Sequence, residues 1–234
     1  MTTVLLIARR EWYGLFATPT AWGLATLYQV LGGIIFCHVL DAARFADLAP
    51  LHATLAGLNV FLFPIVTMGR IAQERRQGTM ELLLTSPVEP WQIVWGKYLG
   101  VLGFALVITI LSLQYPLILA AYGKPDAGQW VPATLGLFLD AALFCAVGLF
   151  ASALTANQVL AGITALALSL FLCWARELGR MMGFAEQPLE GLTVISRFAS
   201  FNRGTLDSRD LFYFVALSWF FLVLAARGVE SDRW

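Results

Sequence analysis

Six stretches almost devoid of Asp, Glu, Lys and Arg, each close to the length a helix needs to cross a bilayer, constrain this chain more than any other feature. They run over 19–40, 51–69, 98–122, 131–154, 156–175 and 211–226. A transmembrane helix needs about 20 mainly apolar residues to cross a hydrocarbon core of about 30 Å. Backbone polar groups in lipid must be satisfied within the segment, and the strict alternation of barrel strands is absent, so the spans read as helices. Composition agrees: charged residues make up 13% of the chain, against about 25% in ordinary soluble domains. The expected fold is all-α, a polytopic membrane protein with six transmembrane helices, and with no internal repeat the whole of 1–234 reads as one membrane domain.

Fifteen basic and fifteen acidic residues cancel, so no net field draws the chain to nucleic acid. Cys37, Cys145 and Cys173 stand singly in apolar runs without CxxC spacing and read as small buried hydrophobes. Residues 1–17 do not resemble a removed leader, because Arg9 and Arg10 follow the first apolar residues and no small-residue cleavage site closes the run. Leu5, Ala8, Trp12, Leu15 and Phe16 instead fall on one side of a helical wheel, predicting an amphipathic interfacial helix over 3–17. Thr18 and Pro19 supply a cap and a first-turn residue for the span that follows.

Orientation follows from the short loops. With the N-terminus inside, the inner side holds Arg9, Arg10, Arg70, Arg75, Arg76, Lys97, Arg227 and Arg233, whereas the first two outer loops hold only Arg44 and Lys124. The connection over 176–210 opposes this with five arginines, matched by five acids. It is too long for a plain loop, and its Leu, Met and Phe content predicts short helices lying at the outer membrane surface.

The polar run 73–77 predicts that the second helix continues about two turns into water, with Gly78 ending it. Thr79 then caps a short helix that Pro87 stops; Met80, Leu83 and Leu84 share one face of it, and Glu81 sits in its first turn. Pro90 starts the next helix, with Trp91 and Trp95 as interface anchors. A two-turn helix does not stand alone in water. It either lies on the lipid surface or docks its apolar face into a groove of a soluble partner.

The string ERRQGTMELLLTSP resembles the E-R-x-x-G-T-x-E-x-L-x-x-x-P pattern that follows the second transmembrane helix in permease subunits of ABC-2 type (type V fold) transporters. SALTANQVLAG, 152–162, is similar to the tight cytoplasmic turn between the fourth and fifth helices of that family. FNRGTLDSRDLFYF, 201–214, resembles the approach to the sixth helix in the gliding-motility-type and nitrous-oxide-cluster-type branch. The resemblance implies a coupling segment over 70–97, with Glu74, Arg75, Thr79, Met80, Glu81, Leu83 and Leu84 meeting a separate nucleotide-binding subunit, and a second coupling element in which Asn157 and Gln158 offer hydrogen bonds. It also implies a bacterial inner-membrane location with both termini cytoplasmic, a homodimer or a heterodimer with a second permease, and an auxiliary membrane protein with an extracytoplasmic domain as a further partner. The chain holds no G-x-x-x-x-G-K-[ST], so ATP and Mg belong to the partner and no cofactor is expected on this chain.

Asp140 interrupts the fourth span, where a carboxylate is costly unless paired, protonated or wet. It reads either as part of a translocation path or subunit interface, together with Gln114, or as a structural hydrogen-bonding group with Gln29, Asn59 or Gln114 as partner. His38, His52, Met181 and Met182 specify no metal site by spacing. Without convergent Ser, His, Asp or metal ligands at one depth, an enzyme is not expected. A membrane scaffold that recruits a cytoplasmic factor without moving substrate is the alternative to a transporter.

Overall fold

The computed structural model describes residues 2–42, 48–80, 88–122, 127–181 and 193–230. These form α1 (Thr2–Phe16), α2 (Pro19–Ala42), α3 (Ala49–Thr67), α4 (Ala72–Arg76), α5 (Pro90–Ser112), α6 (Gln114–Tyr122), α7 (Ala127–Leu154), α8 (Gln158–Met181), α9 (Val194–Asn202) and α10 (Ser208–Glu230), with no strand among the described residues. Six helical stretches are long and apolar enough to cross a membrane: Pro19–Asp41, Ala49–Arg76, Pro90–Ala121, Gly128–Leu154, Gln158–Met181 and Ser208–Glu230. The protein is therefore an all-α polytopic membrane protein.

Local chemistry sets most helix starts. Pro19 opens α2, Pro50 lies in the first turn of α3, and Pro90 opens α5 behind an extended Glu89 (φ −77°, ψ 144°). Proline there gives up a donor that has no helical partner anyway. Asp207 caps α10, its Oδ1 accepting from the Arg209 N–H at 2.9 Å. Thr18 differs from expectation: its hydroxyl donates back to the Leu15 carbonyl at 2.7 Å, closing α1 rather than capping α2.

Several helices also run beyond their charge-free windows. The third membrane helix begins at Pro90, as expected, ahead of the charge-free window that opens at 98, and Lys97 lies buried within it. The sixth runs from Ser208 to Glu230, past its charge-free window of 211–226 at both ends, with Asp210 and Arg227 inside the helix.

The core forms around α7, against which α3, α5, α8, α9 and α10 pack. Leu143, Phe144, Cys145, Ala146, Val147 and Leu149 are all fully buried. A helix apolar all round has no solvent-facing stripe and takes the centre of a bundle. Elsewhere the outward faces remain apolar, as at Leu27, Val30 and Ile34 on α2 and Trp219, Phe220 and Val223 on α10, the surface that lipid satisfies.

α1 lies across α5, and glycines permit the crossing. A Cβ on Gly96 would meet Ile7 at 2.7 Å, one on Gly100 would meet Glu11 at 2.6 Å, and one on Gly103 would overlap the Trp12 ring. The side of α1 that packs on the bundle runs through half-buried Ile7 and buried Glu11 and Leu15, while Leu5 is exposed together with Leu6. Of the predicted apolar face, Trp12, Leu15 and Phe16 do pack against the bundle, Leu5 does not, and Glu11 joins the packed side.

At the opposite end of the bundle, α9 is a packed element. Its Asn202 Nδ2 donates to the Ala49 carbonyl (2.9 Å), Gln129 donates to the Asn202 carbonyl (3.3 Å), and Arg197 pairs with buried Asp210 at 2.8 Å. The expected surface helices are in part the extension of α8 to Met181 and in part this inserted helix; 182–192 lies outside the described residues.

Candidate functional site

The end of α3 does not run on into water. It stops at Thr67, one turn after Pro64, and the chain bends through 68–71 before α4. The bend leaves backbone groups that α3 and α4 cannot satisfy. Ser152, fully buried on α7, takes them up: its Oγ accepts from the Ile71 and Ala72 N–H groups, both at 3.0 Å, and donates to the Met68 carbonyl at 2.9 Å. The start of α4 is thereby capped by a residue from another membrane helix, since Ile71 offers no side-chain cap. Gly78, at φ +70°, then turns the chain out of α4 in the left-handed conformation glycine adopts freely.

Beside this bend lies a buried ion cluster drawn from three elements. The Lys97 ammonium of α5, 1% exposed, is 2.8 Å from Glu11 Oε1 of α1 and 2.8 Å from Glu74 Oε1 of α4. Arg10 reaches Glu74 at 2.8 Å, and Arg70 approaches Glu11 at 3.6 Å. Burial pushes the Glu11 carboxyl up, but Lys97, joined by Arg70 and Arg10, outweighs it and holds the group below its ordinary 4.5. Glu74 Oε2 is buried without a hydrogen-bond partner. Two carboxylates against three cations leave the cluster cationic by one charge.

Arg75 points the other way along α4 and donates to the Gly228 carbonyl of α10 at 2.8 Å, where a cation meets the negative end of that helix. The five residues of α4 are thus tied to α1, α5, α7 and α10 at once. The same contacts place both described chain ends on this face of the bundle.

Of the other predicted contact residues, Met80 is buried, and Thr79 is exposed with its hydroxyl donating back to the Glu74 carbonyl at 3.2 Å. Thr79 is already helical rather than a cap. Glu81, Leu83 and Leu84 lie outside the described residues. In the turn between α7 and α8, Asn157 caps α8, its Oδ1 accepting from Val159 N–H at 3.0 Å, and Gln158 packs over Gly69. Asn157 spends its acceptor inside the chain; Leu154, Val159 and Leu160 are the exposed apolar groups beside it.

Asp140 is not part of this site; it lies about 18 Å up α7 from Ser152, at 1.5 Å per residue. It is 1% exposed and accepts from Asn59 Nδ2 at 3.0 Å, which also contacts the Leu137 carbonyl at 3.3 Å. Asn59, one of the three expected partners, is the one present. Gln114 sits elsewhere, donating to Gln29 at 3.1 Å beside Tyr115, and does not join Asp140. His52 is buried against the Leu48 carbonyl (3.0 Å) while His38 is exposed on α2.

Sequence reasoning missed Ser152, Lys97 and Glu11. Lys97 carries a signal in retrospect: a cation inside WGKYLGVLG, with glycines on one side of the helix, has a second element packed over it, and Glu11 is the one acid on the helix that packs there. Ser152, between alanines, carries none.

No curated protein sequence matches the chain. A family model does, over residues 47–226, from just before α3 to the last turns of α10, and its description is ABC-2 family transporter protein. The match spans five of the six membrane helices together with the bend, α4 and the Ser152 turn, and the chain belongs to that family, as a multi-pass membrane subunit of an ABC transporter.

Proposed function

We propose that this permease subunit couples ATP hydrolysis, carried out with Mg by a separate nucleotide-binding subunit, to movement of a substrate out of the cell. The face formed by α1, the bend over 68–71, α4 and the 153–158 turn is the surface on which that subunit acts, with Glu81, Leu83 and Leu84 as further contact residues. The observation that carries the reading is the set of ties on α4: Glu74 to Lys97 and Arg10, Arg75 to the Gly228 carbonyl, and the bend to Ser152. A push on a free loop is dissipated locally. A push on α4 is delivered to four other helices as a rigid body, which is what domain rocking requires.

The excess of basic residues on this face supports a cytoplasmic position for it and for both termini, in the inner membrane of a bacterium. The chain then acts as half of a dimeric membrane domain, with an identical copy or a second permease. The likeness of 201–214 to the gliding-motility and nitrous-oxide-cluster branch supports placement there, and with it an auxiliary extracytoplasmic protein. Asp140 is assigned to the interior of the path rather than to the coupling face.

Co-purification from native membranes tests this reading. The expected companion carries a P-loop, hydrolyses ATP faster with this chain than without it, and loses transport but not assembly in Glu81→Lys. An absent companion, or one whose hydrolysis ignores the chain, supports a scaffold instead.

A further inference from the structure

Between α3, α7, α8 and α9 lies a cavity of about 210 Å³, lined among others by Ala56, Val60, Cys173, Val194 and Phe198, with Asp140 in its wall. It opens outward past Ala53, Gly57, Trp174 and Ile195, all of them exposed. A dry cavity of roughly 150 Å³ already admits benzene, so the space accepts a small aryl or alkyl group. α8 departs from helical dihedrals at Trp174, on the rim.

The polar groups in this apolar wall are unbalanced. Asn59 donates to Asp140 Oδ2 at 3.0 Å, and among the described residues Oδ1 has no donor. Asn202 lines the outer end; its Nδ2 donates to the Ala49 carbonyl, and its Oδ1 is a buried acceptor with no donor. Among the described residues no Lys, Arg or His lines the cavity. A carboxylate in low dielectric needs a donor or a counter-charge, and here the described residues supply neither to one of its two oxygens. The complementary ligand has an apolar body and brings its own N–H donors with a positive charge.

We infer that this cavity is a binding site for a small apolar amine, its protonated nitrogen donating to Asp140 Oδ1 while its hydrocarbon body fills the space between Val60, Cys173 and Phe198. The ammonium forms the charge-assisted hydrogen bond that Asp140 lacks. An acid or a neutral hydrocarbon of the same shape gains nothing from that oxygen. The site lies within one chain and does not involve α4, so it stands or falls independently of the coupling reading.

The test uses the full chain in nanodiscs and fluorine NMR of 4-fluorobenzylamine, with 4-fluorobenzyl alcohol as its uncharged counterpart and empty nanodiscs as the measure of lipid partition. Saturable binding of the amine, about tenfold tighter than the alcohol as befits a charged over a neutral donor, is expected. Asp140→Asn, which keeps the volume and removes the charge, should erase the difference between the two probes. Gly57→Leu, at a rim position where an added Cβ meets no atom within 4 Å, should close the mouth and abolish binding of both, and it decides the matter even if the Asp140 variant fails to fold. Equal binding of amine and alcohol to the unaltered chain, undiminished amine binding to Asp140→Asn or Gly57→Leu, or no binding beyond lipid partition overturns the inference.

Discussion

Replacing Lys97 by methionine keeps the length of the side chain and removes one charge from the middle of the cluster that joins α1, α4 and α5. Glu11 and Glu74 would then face each other across the vacated position with only Arg10 and Arg70 as counter-charges. Breaking a buried ion pair by removing one partner typically costs about 3–5 kcal/mol, because the remaining charge is left uncompensated. The Arg10 side chain is 60% exposed, so solvent screens it and it recovers little; Arg70 stays 3.6 Å from Glu11 and recovers more. The expected loss is therefore at the lower end, about 3 kcal/mol, or about 6–12 °C in apparent Tm for a chain of this size. The assay is thermal unfolding of the purified protein in nanodiscs, read for Lys97→Met, Glu11→Gln and the double variant. Because the double variant removes the orphaned carboxylate along with the ammonium, it should lose less than the sum of the two single losses. A Lys97→Met protein within about 3 °C of the unaltered one, about 1 kcal/mol on this scale, or strict additivity in the double variant, would refute the view that the cluster is buried and coupled.

Three other perturbations have defined outcomes. Ser152→Ala leaves the Ile71 and Ala72 N–H groups without their acceptor, at a cost of about 2 kcal/mol, and should also raise hydrogen exchange at those two amides while leaving the interior of α8 protected. The Glu11 carboxyl is held below 4.5 in the folded protein, so its contribution to stability is fully present above 4.5 and is lost as pH falls through the lower folded value; Glu11→Gln should flatten that part of the Tm-against-pH curve, and an unchanged acid limb would count against the assignment. Gly103→Val puts a side chain where the Trp12 ring lies, so α1 must lift from α5; the readout is quenching of Trp12 fluorescence by brominated lipid, in a background where Trp12 is the sole tryptophan, expected to increase.

Charge-free length made the spans legible, because lipid allows few alternatives to a helix, and prolines at 19, 50 and 90 marked where three of them start. The centre of the bundle was less so: six hydrophobic windows look alike, and only the run of small and branched residues around Cys145 marks α7 as apolar on every side. Asn59 stood among the three expected partners of Asp140, and a choice between Asn59, Gln29 and Gln114 needs the helix neighbours. The run over 73–77 was read as entering water and Glu74 as meeting a partner, because a charged residue looks the same in sequence whether it meets water, a partner or another helix of its own chain. Leu5 misled for a related reason, since an interfacial helix has two apolar environments, lipid and protein, and hydropathy does not tell them apart. The groups freed by the break at 68–71 are satisfied by a serine on a distant helix, a long-range contact with no local signature.

The central claim is that the α4 side of the bundle is where the ATPase subunit acts, and site-specific photocrosslinking in native membranes tests it most directly. A photoreactive residue at exposed Gln77, just after α4, is compared with one at Leu206, 61% exposed at the opposite end of the bundle. The account predicts a crosslink from position 77 to a polypeptide carrying a P-loop and none to that polypeptide from position 206. A P-loop protein captured from 206 and not from 77, or from neither position, would contradict it.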